Sequence, residues 1–97
     1  MTPEGRIESY LVRQCKIHGL LCYKFTAPST AGVPDRIVIG NGQTVFVELK
    51  APGEKPRALQ IAIHRQIRAH GGTVFVIDTK TGVDDFIQLM TSTRTTH

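Results

Sequence analysis

At 97 residues the chain has room for one compact domain with a modest core, and not for two. Hydrophobic residues make up 40% and charged residues 21%, the balance of an ordinary folded domain rather than a disordered chain. Lys and Arg number 12 against 8 Asp and Glu, and this net charge of +4 favours a polyanionic partner such as DNA or RNA without establishing one.

Thr2-Pro3-Glu4 is a helix start, with Thr as N-cap, Pro at the first helical position and an acid in the first turn. Ile7, Leu11 and Cys15 then recur every fourth residue until Gly19, which predicts a helix over about 3–18. Leu20 to Phe25 is a strand by composition, and the Pro, Gly, Ser and Thr of 26–35 make a long loop, a place where function concentrates. Arg36 to Gly40 and Gln43 to Lys50 flank Asn41-Gly42, the signal of a tight primed hairpin turn. After Ala51-Pro52-Gly53, Leu59, Ile63, Gln66 and Ile67 keep helical spacing up to Gly71-Gly72. Thr73 to Ile77 is an unbroken β-branched run, which predicts a strand buried on both faces. Val83, Phe86, Ile87 and Met90 give a third amphipathic helix, and 91–97 a frayed tail. The order is α-β-β-β-α-β-α, with a right-handed parallel crossover from the third strand to the fourth. Cys15 and Cys22 lack CxxC spacing and are expected to be reduced, with one bridge as the alternative. No apolar run reaches the ~18–20 residues of a membrane span and the N-terminus lacks a secretion signal. A cytoplasmic protein is expected.

Side chains alternate faces along a strand, so Val45, Val47 and Leu49 share one face and Phe46, Glu48 and Lys50 the other. Glu48 and Lys50 are then roughly 6.6 Å apart along the strand. The hairpin pairs residue 36 with about residue 47, which brings Asp35 beside Glu48. Alone, Glu48-Leu49-Lys50 would be a surface salt-bridge triplet and Asp35 a turn former. Together they put two carboxylates and an ammonium at one sheet edge, where like charges repel. A hard divalent cation, Mg²⁺ or Mn²⁺, would relieve that repulsion, with Asp35, Glu48 and the backbone carbonyl of Leu49 as protein ligands and water or phosphate oxygens completing the shell. Lys50 would hold the attacking water or the phosphate as a point charge. Lys24, Arg36, Lys55, Arg57, His64, Arg65 and Arg68 are candidate phosphate contacts, with Lys55, Arg57 and the 26–34 loop favoured because they flank the site. Arg65 and Arg68 are expected on a solvated helix face. The four histidines, 18, 64, 70 and 97, lack metal-ligand spacing and are expected at the surface. No stretch suited to reading base edges is present, which favours recognition of DNA shape.

Gly32-Val33-Pro34-Asp35 followed by Val47-Glu48-Leu49-Lys50 resembles the signature of the PD-(D/E)xK nuclease superfamily, and the element order resembles its core. Within that superfamily the chain is similar to a stand-alone VRR-NUC domain over about residues 4–80. Ile7-Glu8, Lys24-Phe25, Gly32 to Arg36, Phe46 to Lys50 and Gln60 carry the likeness. The resemblance implies a restriction-endonuclease-like α/β fold, a mixed four-stranded sheet flanked by helices, filling residues 1–90 as a single nuclease domain. It implies Asp35 and Glu48 as metal ligands and Lys50 as the catalytic lysine. Glu8 would complete the site from the first helix, with Glu4 as its rival one turn away. Gln60 would orient Lys50, water or substrate; an ordinary surface glutamine is the alternative. The activity implied is metal-dependent DNA cleavage selective for branched DNA such as four-way (Holliday) junctions, by a homodimer. A flap or restriction-like nuclease of the same fold, or a non-catalytic nucleic-acid-binding module, stands as the alternative.

Overall fold

The computed structural model describes residues 1–92. The tail expected at 91–97 lies, from residue 93 on, outside the described residues; Thr91 closes the last helix. The elements are α1 (Pro3–Ile17), β1 (Leu21–Lys24), β2 (Arg36–Gly40), β3 (Gln43–Leu49), α2 (Ala58–Ala69), β4 (Val74–Ile77) and α3 (Lys80–Thr91). The order matches that expected, and the strands form one sheet in the order β1-β2-β3-β4. The β1–β2 and β2–β3 pairs are antiparallel and β3–β4 is parallel, so α2 is the crossover of a mixed sheet.

Local chemistry sets the boundaries. The Thr2 hydroxyl accepts from the Gly5 N–H at 2.9 Å and opens α1, and Thr79 caps α3 in the same way through Gly82. Asn41 and Gly42 take φ values of 52° and 75°, the left-handed pair that a tight primed turn needs. That turn fixes the register, with Arg36 opposite Val47.

The core lies between one sheet face and two helices. Ile7, Leu11 and Cys15 of α1 and Val83, Phe86, Ile87 and Met90 of α3 pack on Val38, Val45, Val47, Leu49 and Ile77. The Tyr10 hydroxyl donates to Asp84 at 2.6 Å and ties α1 to α3. Cys15 and Cys22 are both free thiols. Among the described residues, α2 is the one helix on the opposite sheet face, where Phe25 also packs against Phe46. This corrects two expectations. β4 is an outer strand that α2 covers in part, so Val76 is left 41% exposed instead of being buried on both faces. The inward residues of α2 are Gln60 and His64, while Leu59, expected in the buried stripe, is 54% exposed.

The loop between β1 and β2 is pinned at both ends. Phe25 N–H donates to the Asp35 carbonyl at 2.9 Å, closing its base. At its turn, Gly32 has φ of 89° and lies so close to α2 that a Cβ there would meet Leu59 Cγ at 3.1 Å and Ile63 Cγ1 at 3.2 Å. A side chain at this position is both strained and crowded. We expect Gly32→Ala to destabilise the fold by about 1–3 kcal/mol in urea denaturation; an unchanged midpoint would show that the loop does not depend on this contact.

Candidate active site

The hairpin and the crossover converge on the end of β3. Glu48 is 1% exposed and the neighbouring Lys50 is also buried. They form an ion pair, Lys50 Nζ to Glu48 Oε2, at 3.5 Å. Gln60 Nε2 donates to the same Glu48 oxygen at 2.8 Å. The other end of that amide, Oε1, accepts from the Arg57 N–H at 2.9 Å. A backbone N–H can only donate, so the oxygen must face Arg57 and the nitrogen must face Glu48. Gln60 thus caps the start of α2 and holds the end of β3 with one side chain.

Asp35 arrives from the other side. Its Oδ2 accepts from the Leu49 N–H at 2.8 Å. Along a strand the N–H and C=O of one residue point the same way in the sheet plane. The Leu49 carbonyl therefore points toward the side from which Asp35 approaches. The Lys50 N–H points the other way, to the Ile77 carbonyl at 2.9 Å.

The electrostatics are those of a site short of positive charge. Burial, then the charge on Asp35, pushes Glu48 up from 4.5 to about 7, while Lys50 acts in the opposite direction. Glu4 adds to the rise. Glu48 Oε1 is buried and has no hydrogen-bond partner, and neither has His64 Nε2, 3.6 Å away. Each such orphan costs about 1–3 kcal/mol. His64, 2% exposed, corrects the expectation that the histidines are surface residues. It lies one helical turn from Gln60, and that i, i+4 spacing beside a glutamine expected to face the site was the signal available in the sequence. Burial, with Arg68 and Lys50 nearby, holds its imidazole below the ordinary value of 6.5. His18 and His70 are exposed and bond the carbonyls of Gln14 and Gln66; His97 is outside the described residues.

The remaining sequence candidates are placed differently. Glu8 does not join the cluster through a bond. Its Oε2 pairs with Arg36 Nε at 2.8 Å and Lys24 Nζ at 3.2 Å. Of the two helix-one acids, Glu4 is the one whose charge acts on Glu48. The pairing was legible: Lys24 lies opposite Arg36 and Arg36 opposite Val47, which puts both cations on the face that α1 covers. Lys24 and Arg36 are therefore engaged by Glu8, whereas Lys55 and Arg57 are exposed just before α2. Arg68 Nη2 donates to the Val74 carbonyl at 2.8 Å, while Arg65 is exposed.

Among the described residues, no three His, Cys, Asp or Glu side chains converge closely enough to hold an ion by themselves. The donor set is two carboxylates and a backbone carbonyl. That suits a hard cation such as Mg²⁺, which keeps several waters and takes one or two carboxylates. The orphaned Glu48 Oε1 and the raised pKa both mark a place where positive charge would be stabilised.

In comparisons with known proteins, no protein-family model matches the chain. The protein p44 of Acyrthosiphon pisum secondary endosymbiont phage 1, named provisionally as a nuclease, is 45% identical over 78 residues, which span 79% of this chain and 84% of p44. A solved structure described as a VRR_NUC domain superposes with a TM-score of 0.83 at 32% identity, over 91% of this chain and 97% of its own.

Glu48 gives a pH test. Its raised value belongs to the folded, metal-free protein, and unfolding returns it to 4.5. The folded state thus binds more protons between the two values. The contribution is fully present below pH 4.5 and is lost as pH rises through about 7. The lowered pKa of His64 works the opposite way, costing stability as pH falls below 6.5. Comparing wild type with Glu48→Gln removes most of the histidine contribution. In EDTA, the stability of wild type relative to Glu48→Gln should fall by on the order of 3 kcal/mol as pH rises through this window. Urea denaturation at stepped pH checks this, and a difference independent of pH would contradict it.

Proposed function

The chain belongs to the VRR-NUC nuclease family, and from that premise we propose that it is a divalent-metal-dependent DNA endonuclease, selective for branched DNA such as four-way junctions. The observation that carries the metal-dependent part is the convergence of Asp35, Glu48 and Lys50 at the end of β3, with Glu48 buried, bonded by Gln60 and left with one free oxygen.

When bound, Mg²⁺ or Mn²⁺ would neutralise charge on the phosphate and lower the pKa of water. Asp35, Glu48 and the Leu49 carbonyl would hold it. Gln60 keeps the Glu48 carboxylate in one orientation, which limits the reorganisation needed during reaction. Lys50 Nζ supplies a fixed positive charge at the site for the phosphate or the attacking water. Because Lys50 is buried, that charge is worth more than at an exposed position. The exposed Lys55 and Arg57 beside the site are placed to contact flanking phosphates, which position a duplex without reading its sequence.

Branch selectivity rests on this shape-reading logic and on the dimer. A four-way junction needs two cuts, which a twofold dimer supplies. Leu21 and Tyr23 of the outer strand β1 are at least half exposed, apolar surface that a second copy would cover. No helix among the described residues is long and apolar enough to cross a membrane; the reading as a nuclease acting on branched DNA is consistent with an intracellular protein.

The test is a panel of linear, flap and four-way DNA with Mg²⁺, Mn²⁺ or EDTA, using Asp35→Ala as control. Cleavage should require the cation, be fastest on the four-way substrate and vanish in Asp35→Ala. Equal cutting of linear DNA would remove the branch preference. Binding without cleavage under all conditions would favour a non-catalytic module. Lys50→Ala should lose about 10²–10³-fold in rate while keeping its Mn²⁺ affinity; an unchanged rate would take Lys50 out of the mechanism. Sedimentation equilibrium should give about twice the chain mass of 10.7 kDa, and a monomer at working concentration would contradict the dimer.

A further inference from the structure

We propose that His64 is a positioning residue of the metal site: its Nε2–H holds the second oxygen of Glu48 as Gln60 holds the first, so that the carboxylate is fixed for a divalent cation. This rests on the metal-dependent reading above.

The geometry of α2 is the first ground. Its buried residues are Gln60 and His64, both polar, one turn apart on the same helix face. A helix that served only to cover the sheet would turn the apolar stripe of Leu59, Ile63 and Ile67 inward, yet Leu59 is exposed and Ile63 and Ile67 are only half-buried. The rotation of α2 is instead the one that sets two polar side chains over Glu48.

The two contacts divide the carboxylate between them. Gln60 Nε2 lies 2.8 Å from Glu48 Oε2. His64 Nε2 lies 3.6 Å from Glu48 Oε1. The latter is about 0.7 Å longer than an ordinary N–H···O bond. Both atoms are buried and neither has another partner. A shift of less than an ångström in either side chain closes the bond. A neutral imidazole with its proton on Nε2 donates there and leaves the outer lone pairs of Glu48 for a ligand. Partners of this kind around a ligating group fix its orientation and raise its basicity, and their loss typically weakens metal binding.

The experiment is Mn²⁺ titration of the whole chain, followed by electron paramagnetic resonance, with no substrate present. His64→Leu should weaken Mn²⁺ binding by about 10–100-fold, and His64→Gln, whose amide nitrogen reaches the same place, should return it to within about threefold of wild type. Rescue by the amide separates donation from packing. If His64→Leu fails to fold by circular dichroism, His64→Asn, whose amide falls short of Glu48, replaces it in the comparison with His64→Gln. Wild-type affinity in the folded Leu or Asn variant would overturn the proposal, as would His64→Gln binding no more tightly than that variant. Failure of wild type itself to take up Mn²⁺ would overturn the metal reading and this proposal with it, a different result from wild-type uptake that His64 does not influence.

Discussion

The hydrogen bond from Gln60 to Glu48, 2.8 Å long and fully buried, is the constraint on which the site depends. Burying a carboxylate costs several kcal/mol unless its oxygens are satisfied. The amide nitrogen meets part of that cost, and the amide oxygen is occupied by the Arg57 N–H. The side chain cannot turn over without losing both bonds. It therefore fixes where α2 begins, how α2 is rotated and which way the Glu48 oxygens face. Fold and candidate site share these atoms, so the crossover from β3 to β4 cannot be repacked without disturbing Glu48.

Asp35 is fixed by a different device. Its carbonyl takes the Phe25 N–H and its carboxylate takes the Leu49 N–H, so backbone groups anchor it from both sides. What remains is a charge imbalance. Asp35 and Glu4 both raise the pKa of Glu48, and Lys50 offsets them only in part. A second set of charges, Glu8 with Arg36 and Lys24, is tied up on the α1 face of the sheet. The fold thus satisfies one acid of α1 and leaves the other to act on the site. Buried acids left short of positive charge in this way cost stability.

Much of this was legible in the sequence because it is local. Asn41-Gly42 sets a tight turn, the turn sets the register, and the register places Asp35 against the Glu48–Leu49 end of β3. The caps at Thr2, the spacing of Ile7, Leu11 and Cys15, and the element order are of the same kind. The orientation of α2 was not legible. Leu59, Ile63 and Ile67 have helical spacing and look like an inward stripe, but tertiary contacts with Glu48 and Gly32 rotate the helix past it. His64 was expected at the surface, as a candidate phosphate contact, for that reason, and is buried instead. The run from Thr73 to Ile77 likewise looks buried on both faces, because nothing local records that β4 has a neighbour on one side only. Glu8 differs: the face shared by Lys24 and Arg36 follows from the register and could have been read from it.

The central claim is that two carboxylates brought together by a hairpin form a seat for a hard cation. Diffraction from Mn²⁺-soaked crystals at the manganese absorption edge tests it most directly. The account predicts one or two anomalous peaks within ligating distance, about 2.0–2.3 Å, of Asp35 and Glu48 on the side of the Leu49 carbonyl. An ordered site with no peak there, or manganese bound only at surface carboxylates elsewhere, would contradict it.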